Sequence, residues 1–283
     1  PANGLQYAPP HPCQCYIEEK LNGFHAIAPE LPMALRWKEP ETPPEAERGP
    51  AFGKASGPEA GPADWPAFRR DGMRSGATET AVPEKAAPLW RVEAGGQVSP
   101  PIAVGDRVYA ALPEEHHVIC LSAKDGKKVW EFAAGGRVDS PPTYHKGMIL
   151  FGSADGWVYC LRAGDGALAW RFRAAPAERL VGAFGQLESA WPVSGSVLVL
   201  GDAVYFAAGR SSHLDGGLRL YGLDAATGKL LYQAKREGPR YDSENFEVNF
   251  GLPQGTLPDV LVGEGTSLWM RTTGFDEKLQ PKA

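Results

Sequence analysis

The sequence predicts an all-β protein, a β-propeller of four-stranded antiparallel blades that is partial, with about three to four blades. The first observation is internal repetition: residues 118–130 recur as residues 158–170 and, more loosely, as residues 220–232. The second is that three tryptophans are spaced at intervals of 40 residues, and these are Trp90, Trp130 and Trp170. A fixed period of this length, with several short strands per repeat, is typical of propeller blades.

Each repeat divides into four short strands joined by turns that are rich in glycine. In the first repeat the strands are predicted at residues 101–104, 107–111, 117–121 and 128–132. The pair Asp125-Gly126 suits a tight turn, because glycine adopts a positive φ without a Cβ clash. A fourth repeat is predicted to start at residues 259–262, turn at residues 263–266 and return through residues 267–270.

The third repeat is longer than the others, because Tyr232 follows Trp170 by 62 residues instead of 40. Most of the extra length lies in residues 173–192, where a helical connection is predicted at residues 177–191, and a second loop covers residues 209–217. Insertions in repeat arrays usually collect on the binding face. The sequence therefore predicts a ligand-binding surface whose residues are Glu188, Trp191, Arg210, His213 and Asp215.

The serines, histidine and aspartate of the second loop do not indicate a catalytic triad. A triad is defined by three-dimensional geometry, and hydrolase nucleophiles lie on rigid elbows such as Gly-x-Ser-x-Gly. The loop sequence, Gly209-Arg210-Ser211-Ser212-His213, lacks that elbow. No catalytic residue is therefore predicted in this chain.

Composition divides the chain into three regions. Residues 1–38 contain aromatic residues, two cysteines and a short segment predicted as helix at residues 18–21. Residues 39–64 are dominated by Pro, Glu, Ala and Gly, so the apolar surface they can bury does not offset the entropy lost on ordering. We therefore predict an irregular linker there, which proteases cut first, and an incomplete propeller at residues 65–283.

His11, Cys13 and Cys15 place three possible metal ligands close together. Cysteines two residues apart on a strand point to the same face, so one metal ion could contact both. The haem-attachment pattern Cys-x-x-Cys-His is not formed by these residues. Two structural alternatives stay open, namely a disulfide to a cysteine outside this chain and two buried thiols.

Two further sets of reactive side chains fit structural roles. His116 and His117 lie next to Glu114 and Glu115, which is typical of a solvated charged loop. Equivalent positions of the first two repeats hold a cysteine, and a free thiol packs well as a small apolar group in a core. We expect these cysteines to be buried, and they are Cys120 and Cys160.

Charge and hydropathy argue against two kinds of partner. The formal net charge is -5 and there is no basic stripe, so nucleic acid is not expected to bind. No apolar run approaches the length of about 18 residues that a membrane-spanning helix needs. Four cysteines are also too few for a disulfide scaffold in a chain of this size.

The second repeat carries the sequence GSADGWVYCLR at residues 152–162 and the pattern Leu-x-x-x-x-Gly-x-x-x-Trp ending at Trp170. Both resemble the repeat of pyrroloquinoline quinone (PQQ) enzymes, which quinoprotein dehydrogenases share with the barrel-assembly lipoprotein of bacterial outer membranes. The resemblance covers about residues 64–276, and residues 1–29 resemble the segment that ends a preceding propeller in multidomain members. It therefore implies that residues 1–38 end a preceding domain, another propeller. It implies that the repeat tryptophan docks each blade against its neighbour. The structural repeat residues are Trp90, Trp130, Trp170, Tyr232, Gly126, Gly166 and Gly228.

The same resemblance bears on the cofactor. Quinoprotein dehydrogenases resemble one another in a vicinal Cys-Cys disulfide over the PQQ ring, a Ca²⁺ ion held by acidic and amide side chains, and an aspartate base. This sequence contains no Cys-Cys pair. PQQ is thus a cofactor suggested by family resemblance whose motifs are not seen here.

We expect a non-catalytic propeller of the bacterial cell envelope or periplasm. It would act as a scaffold that binds a protein or a small-molecule ligand on the propeller face, as a monomeric propeller within a multidomain parent. One alternative is a PQQ-dependent quinoprotein oxidoreductase whose catalytic residues lie outside this chain. Another is an electron-transfer module that works with a further domain.

Overall fold

The computed structural model describes residues 5–8, 25–27, 45–81, 83–212, 214–238 and 257–282. Within these ranges the regular secondary structure consists of β-strands, and paired strands run antiparallel. None of the described residues belongs to a helix with the length and apolar character needed to cross a bilayer. The prediction of an all-β fold is confirmed.

Short strands precede the first two blades of the propeller. Strand β1 (Gln6–Ala8) pairs with β2 (His25–Ile27), and β3 (Glu47–Arg48) follows. Blade 1 consists of β4 (Ile102–Val104), β5 (Arg107–Leu112), β6 (His117–Ser122) and β7 (Lys128–Ala133). Blade 2 consists of β8 (Thr143–His145), β9 (Met148–Gly152), β10 (Trp157–Arg162) and β11 (Leu168–Arg173).

An inserted hairpin separates blade 2 from the last two blades. This insertion hairpin, residues 180–189, consists of β12 (Leu180–Ala183) and β13 (Gln186–Ser189). Blade 3 consists of β14 (Leu198–Leu200), β15 (Ala203–Ala208), β16 (Leu218–Asp224) and β17 (Leu230–Arg236). Blade 4 consists of β18 (Val262–Glu264), β19 (Ser267–Met270) and β20 (Thr273–Asp276).

The first strand of each blade lies innermost, around a common axis. Strand β4 contacts β8, β8 contacts β14, and β14 contacts β18, while the other strands of each blade follow outward in chain order. Apolar side chains fill the space between blades, with Trp130 and Phe151 between blades 1 and 2 and with Phe172 and Phe206 between blades 2 and 3. The prediction of three complete blades and part of a fourth is confirmed.

Two predicted elements are wrong. The first strand of blade 4 is Val262–Glu264 and not residues 259–262, because the turn is made at Gly265, whose φ is 59°. The segment predicted as a helix at residues 177–191 is the insertion hairpin. Phe184 and Gly185 form its two-residue turn with φ values of 50° and 76°, and two successive positive φ values suit a hairpin and break a helix. The helix predicted at residues 18–21 lies outside the described residues.

The prediction of an irregular linker at residues 39–64 is wrong at Glu47–Arg48, which form β3. The other described residues of that range, 45–46 and 49–64, have no regular secondary structure. Strand β3 pairs with β11, the outer strand of blade 2, and makes that sheet five-stranded. Beyond it, Gly49 N donates to Ala169 O at 2.8 Å and Ala51 N donates to Leu168 O at 2.9 Å, while Ala51 is fully buried. Main-chain hydrogen bonds to a sheet edge offset the ordering entropy, although the segment is poor in large apolar residues.

Residues 65–74, called the inner strap here, run along the innermost strands. Trp65 and Ala103 of β4 exchange two main-chain hydrogen bonds, at 2.7 and 3.0 Å. Farther along, Tyr144 N of β8 donates to Pro66 O at 2.7 Å. Gly263 N of β18 donates to the carbonyl oxygen of Gly72 at 2.8 Å. The inner strap therefore joins blades 1, 2 and 4 through main-chain contacts.

Arg74 ties the end of the inner strap to blades 3 and 4. Its buried guanidinium donates to the carbonyl oxygens of Leu261 at 3.1 Å, Val197 at 3.1 Å and Phe68 at 3.2 Å. Burial lowers the pKa of Arg74 to about 10, an effect that Asp71 partly offsets. The side chain is still charged at neutral pH, and carbonyl dipoles replace the water that it loses.

The repeat tryptophans dock each blade on its neighbour by one repeated contact. The indole Nε1 of Trp130 donates to Ala163 O of blade 2 at 2.9 Å, and that of Trp170 donates to Ala225 O of blade 3 at 3.0 Å. The ring of Trp130 also covers Gly166, where a Cβ would come within 2.7 Å of the ring. Two further pairs share this arrangement, and they are Trp90 with Gly126 and Trp170 with Gly228.

Tyr232, the equivalent residue of blade 3, departs from the tryptophan pattern. Its ring stacks on Tyr205 of the same blade, with centroids 6.5 Å apart and ring planes 4° apart. The link to blade 4 is made by Tyr205, whose hydroxyl donates to Glu277 O at 2.9 Å. In blade 3 the hydrogen bond toward the next blade is therefore donated by Tyr205 and not by the residue at the tryptophan position.

Candidate functional site

The insertion hairpin is fixed to blade 2 at its base. Ser189 N donates to Ala154 O at 2.8 Å, and Ala190 N donates to Arg179 O at 2.8 Å. The backbone of Gly156, in the same turn as Ala154, lies so close to Ser189 that a Cβ on it would approach Ser189 Oγ to 2.8 Å. These contacts anchor the base of the hairpin to blade 2.

An arginine–carboxylate network lies under the hairpin. Arg210 Nη2 contacts Glu188 Oε2 at 2.9 Å, and Arg137 Nε lies 3.8 Å from Glu188 Oε1. Arg137 also pairs with Asp139 at 2.8 Å and with Glu114 at 3.0 Å. The network therefore links the hairpin to the β5–β6 loop of blade 1, to the connection after blade 1 and to the β15–β16 loop of blade 3.

Burial sets the electrostatics of this network. Glu188 is only 3% exposed, and desolvation raises the pKa of its carboxyl, an effect that Arg210 and Arg137 only partly offset. Desolvation alone would lower the pKa of Arg137, but its carboxylate neighbours raise it. Glu188 Oε1 and Arg210 Nε form no hydrogen bond with the residues described. Buried ion pairs of this kind add little net stability but strongly penalise removal of one partner.

Trp191 and Asp215 hold the two insertions together. The indole Nε1 of Trp191 donates to Asp215 O at 3.0 Å, and Arg179 pairs with the Asp215 carboxylate at 2.5 Å. Trp191 is 1% exposed, so its ring packs in the core beneath the surface. Asp215 takes a φ of 52°, which aspartate tolerates better than most residues.

The structure brings four of the five predicted ligand-binding residues into one region. Glu188 pairs with Arg210, and Trp191 bonds to Asp215, whereas His213 lies outside the described residues. Their contacts with one another show how the two insertions are assembled. That they bind a ligand stays a prediction.

Several residues of this region had no predictive signal in the sequence. The guanidinium of Arg137 lies over the ring of Phe184, 4.6 Å from its centroid. Gln186 Nε2 donates to Glu114 Oε2 at 3.1 Å, and Gln186 Oε1 bonds to His116 Nε2 at 2.5 Å. His116 and Glu114 were expected in a solvated loop, yet both are partners of the hairpin. These contacts join segments about 70 residues apart, so a local pattern in the sequence cannot predict them.

The surface of the hairpin exposes three large apolar side chains. The exposed fractions are 57% for Leu180, 55% for Phe184 and 69% for Leu187. Single exposed apolar residues are common on protein surfaces, so the distinguishing feature of these three is that they lie on one hairpin.

The described residues do not fit a PQQ site of the quinoprotein kind. Cys120 and Cys160 are free thiols in different blades, and burial raises the pKa of Cys120 to about 12 and that of Cys160 as well. In the described part of the chain no three His, Cys, Asp or Glu side chains are arranged to hold a metal ion. The predicted metal ligands His11, Cys13 and Cys15 lie outside that part. No catalytic step through PQQ follows from these residues.

Blades of about 40 residues with a docking tryptophan and a turn glycine define a propeller of PQQ-like repeats. The sequence model of the family described as outer membrane protein assembly factor BamB matches residues 80–256. The chain belongs to this family, and the expected resemblance to PQQ-like repeat proteins is confirmed. A comparison with curated proteins found no match.

Solved structures share the propeller fold at low sequence identity. BamB from Moraxella catarrhalis is 20% identical, covering 68% of this chain and 53% of its own, with a TM-score of 0.48. A europium-containing methanol dehydrogenase is 18% identical, covering 63% of this chain and 33% of its own, with a TM-score of 0.50. A quinohemoprotein alcohol dehydrogenase from Pseudomonas putida HK5 is 19% identical, covering 62% and 27%, with a TM-score of 0.49. The chain thus spans about half the length of that BamB structure.

Proposed function

We propose that this propeller is a non-catalytic scaffold of the bacterial cell envelope that binds a protein partner through the insertion hairpin. The observation that carries the proposal is the set of exposed apolar side chains on a hairpin that is fixed from below, and they are Leu180, Phe184 and Leu187. Apolar anchors on a rigid element bind well, because little conformational entropy is lost on association.

The charges around the hairpin indicate the chemistry of the partner. Glu115 is exposed in the β5–β6 loop and Glu178 is exposed just before β12, whereas Glu114 of the same loop is exposed but already pairs with Arg137. An apolar centre with a polar rim is the usual anatomy of a protein interface. A partner surface with apolar residues flanked by Lys or Arg complements this rim.

The envelope location rests on family membership. The matching family is described by its role in outer membrane protein assembly, a process of the bacterial envelope. We extend that setting to this chain and place the propeller in the periplasm. The role of the whole protein is part of the same proposal, because this chain covers 53% of the BamB structure that it resembles.

Leu187→Asp is expected to weaken partner capture about tenfold or more, because a charge replaces an apolar anchor at the interface centre. The measurement captures proteins from an envelope extract of the source organism on immobilised full-length protein and quantifies each captured protein. Leu89→Asp is the matched control, since Leu89 is 77% exposed and lies outside the hairpin.

The proposal requires a protein that wild type and Leu89→Asp retain equally and Leu187→Asp loses. Equal capture by all three proteins would contradict it. Because both leucines are exposed, neither substitution is expected to alter the melting temperature, which is measured alongside.

A further inference from the structure

A cleft of about 470 Å³ opens between blades 1 and 2, beside the base of the insertion hairpin. Its walls come from the end of β7, from β10 and β11, and from the connection that leads into β12. Phe132 of blade 1 and Tyr159 of blade 2 meet at its floor, with ring centroids 5.7 Å apart. The volume lies in the range of small-molecule sites.

The register of blade 2 places aromatic rings and arginines together on this wall. Trp157 pairs with Arg173, and Tyr159 pairs with Arg171, across the β10–β11 ladder. Directly opposed residues of an antiparallel pair, and residues two apart on one strand, point to the same face. All four side chains therefore face blade 1 and line the cleft.

Most charges of the cleft are already engaged by the protein. The guanidinium of Arg171 bonds to Glu47 at 2.7 Å and lies over the ring of Trp157, 4.3 Å from its centroid. Arg179 pairs with Asp215 at 2.5 Å.

The Asp155 carboxylate is also fully used. It accepts hydrogen bonds from the Tyr159 hydroxyl at 2.5 Å, from Trp157 N at 3.0 Å and from Gly135 N at 3.1 Å. Burial raises the pKa of Asp155, and these donors only partly offset that effect. Asp155 therefore fixes the turn before β10 and has little capacity left for a ligand.

Arg173 is the exception among the arginines of the cleft. It is half-buried at the end of β11, and its guanidinium forms no hydrogen bond or ion pair with the described residues. The remaining carboxylate of the lining, Glu178, is exposed at the rim, where water screens it. Among the described residues that line the cleft, Arg173 is therefore the one cation without a partner, beside apolar and aromatic walls.

We propose that this cleft binds a small molecule in which a carboxylate or phosphate group is attached to an apolar body. The oxyanion accepts hydrogen bonds from the Arg173 guanidinium, whose planar fork matches both groups. The apolar body lies against Phe132, Leu168 and Trp157. Leu180 lines this cleft and also belongs to the exposed apolar set of the hairpin, whereas Phe184 and Leu187 do not line the cleft. Because Arg173 and the aromatic wall lie outside the hairpin, the proposal does not depend on the proposed protein partner.

The test titrates the full-length protein with benzoate and with phenyl phosphate in a calorimeter. At least one anion is expected to bind with a stoichiometry of one per chain, and the tighter one identifies the head group. Arg173→Met is expected to weaken binding about tenfold or more, because the charge-assisted hydrogen bonds are lost. Benzyl alcohol, a neutral probe of similar shape, is expected to bind much more weakly.

Arg91→Met is the matched control, since Arg91 is exposed outside the cleft, and it is expected to bind like wild type. Should Arg173→Met melt early, Arg173→Lys replaces it, with weaker binding expected because lysine lacks the planar fork. Absence of binding by both anions, or equal affinity in wild type and the folded Arg173 variant, would overturn the proposal.

Discussion

Trp130→Ala is expected to lower the free energy of unfolding by about 3–5 kcal/mol, because it removes a large buried ring and leaves a cavity between two blades. Trp130 is 7% exposed, donates its indole N–H to Ala163 O and packs on Tyr109 at 5.8 Å between ring centroids. The substitution also leaves the Ala163 carbonyl without that donor. Denaturant unfolding of the full-length protein, followed by circular dichroism, measures the change.

Val129→Ala is the control for this prediction. Val129 is the preceding residue on β7 and is 41% exposed, so its truncation is expected to change the free energy by no more than about 0.5 kcal/mol. Equal unfolding midpoints for the two variants would show that Trp130 does not dock the blades. Such a result would favour the alternative in which the Trp130 ring stacks against a ligand.

Arg74→Ala is expected to cost about 2–4 kcal/mol, because hydrogen bonds from a charged donor to three main-chain carbonyls are lost at one position. Two of those carbonyls, at Val197 and Leu261, belong to buried parts of the chain next to β14 and β18. Blade 4 is held at this point, so the amide of Gly263 is expected to exchange faster in the variant.

Hydrogen exchange with mass spectrometry and denaturant unfolding together measure the effect of Arg74. Arg91→Ala is the control, since Arg91 is exposed and lies outside the inner strap. Unchanged protection at blade 4 in Arg74→Ala would contradict a clamping role. A loss of stability equal to that of Arg91→Ala would contradict it as well.

The strands were predictable because the same pattern of strands and turns recurs in successive repeats of the sequence. Each strand of blade 1 was predicted to within one residue at either end, from its Val- and Ile-rich composition and from the turns at Gly105 and Gly126. The inner strap and β3 were not predictable. Apart from the Arg74 guanidinium and the Arg171–Glu47 ion pair, the contacts described for them are main-chain hydrogen bonds to sheet edges, which leave no pattern in the side chains.

The candidate site was predictable only in outline. The break in the repeat indicated two insertions, and the structure joins them through Glu188 and Arg210. The contribution of Arg137 depends on a fold that brings blade 1 beside the hairpin, and sequence spacing does not encode that proximity. The error at Phe184 and Gly185 arose because the consecutive positive φ values of that turn were not anticipated.

The claim that this propeller is a non-catalytic scaffold is tested most directly by adding PQQ and Ca²⁺ to the full-length protein. The measurement follows dye-linked alcohol oxidation together with the absorbance of the quinone. A scaffold of the kind proposed gives no turnover above that of PQQ and Ca²⁺ without protein, and no stoichiometric change in absorbance. Robust turnover would contradict the account and would assign the protein to the quinoprotein oxidoreductases.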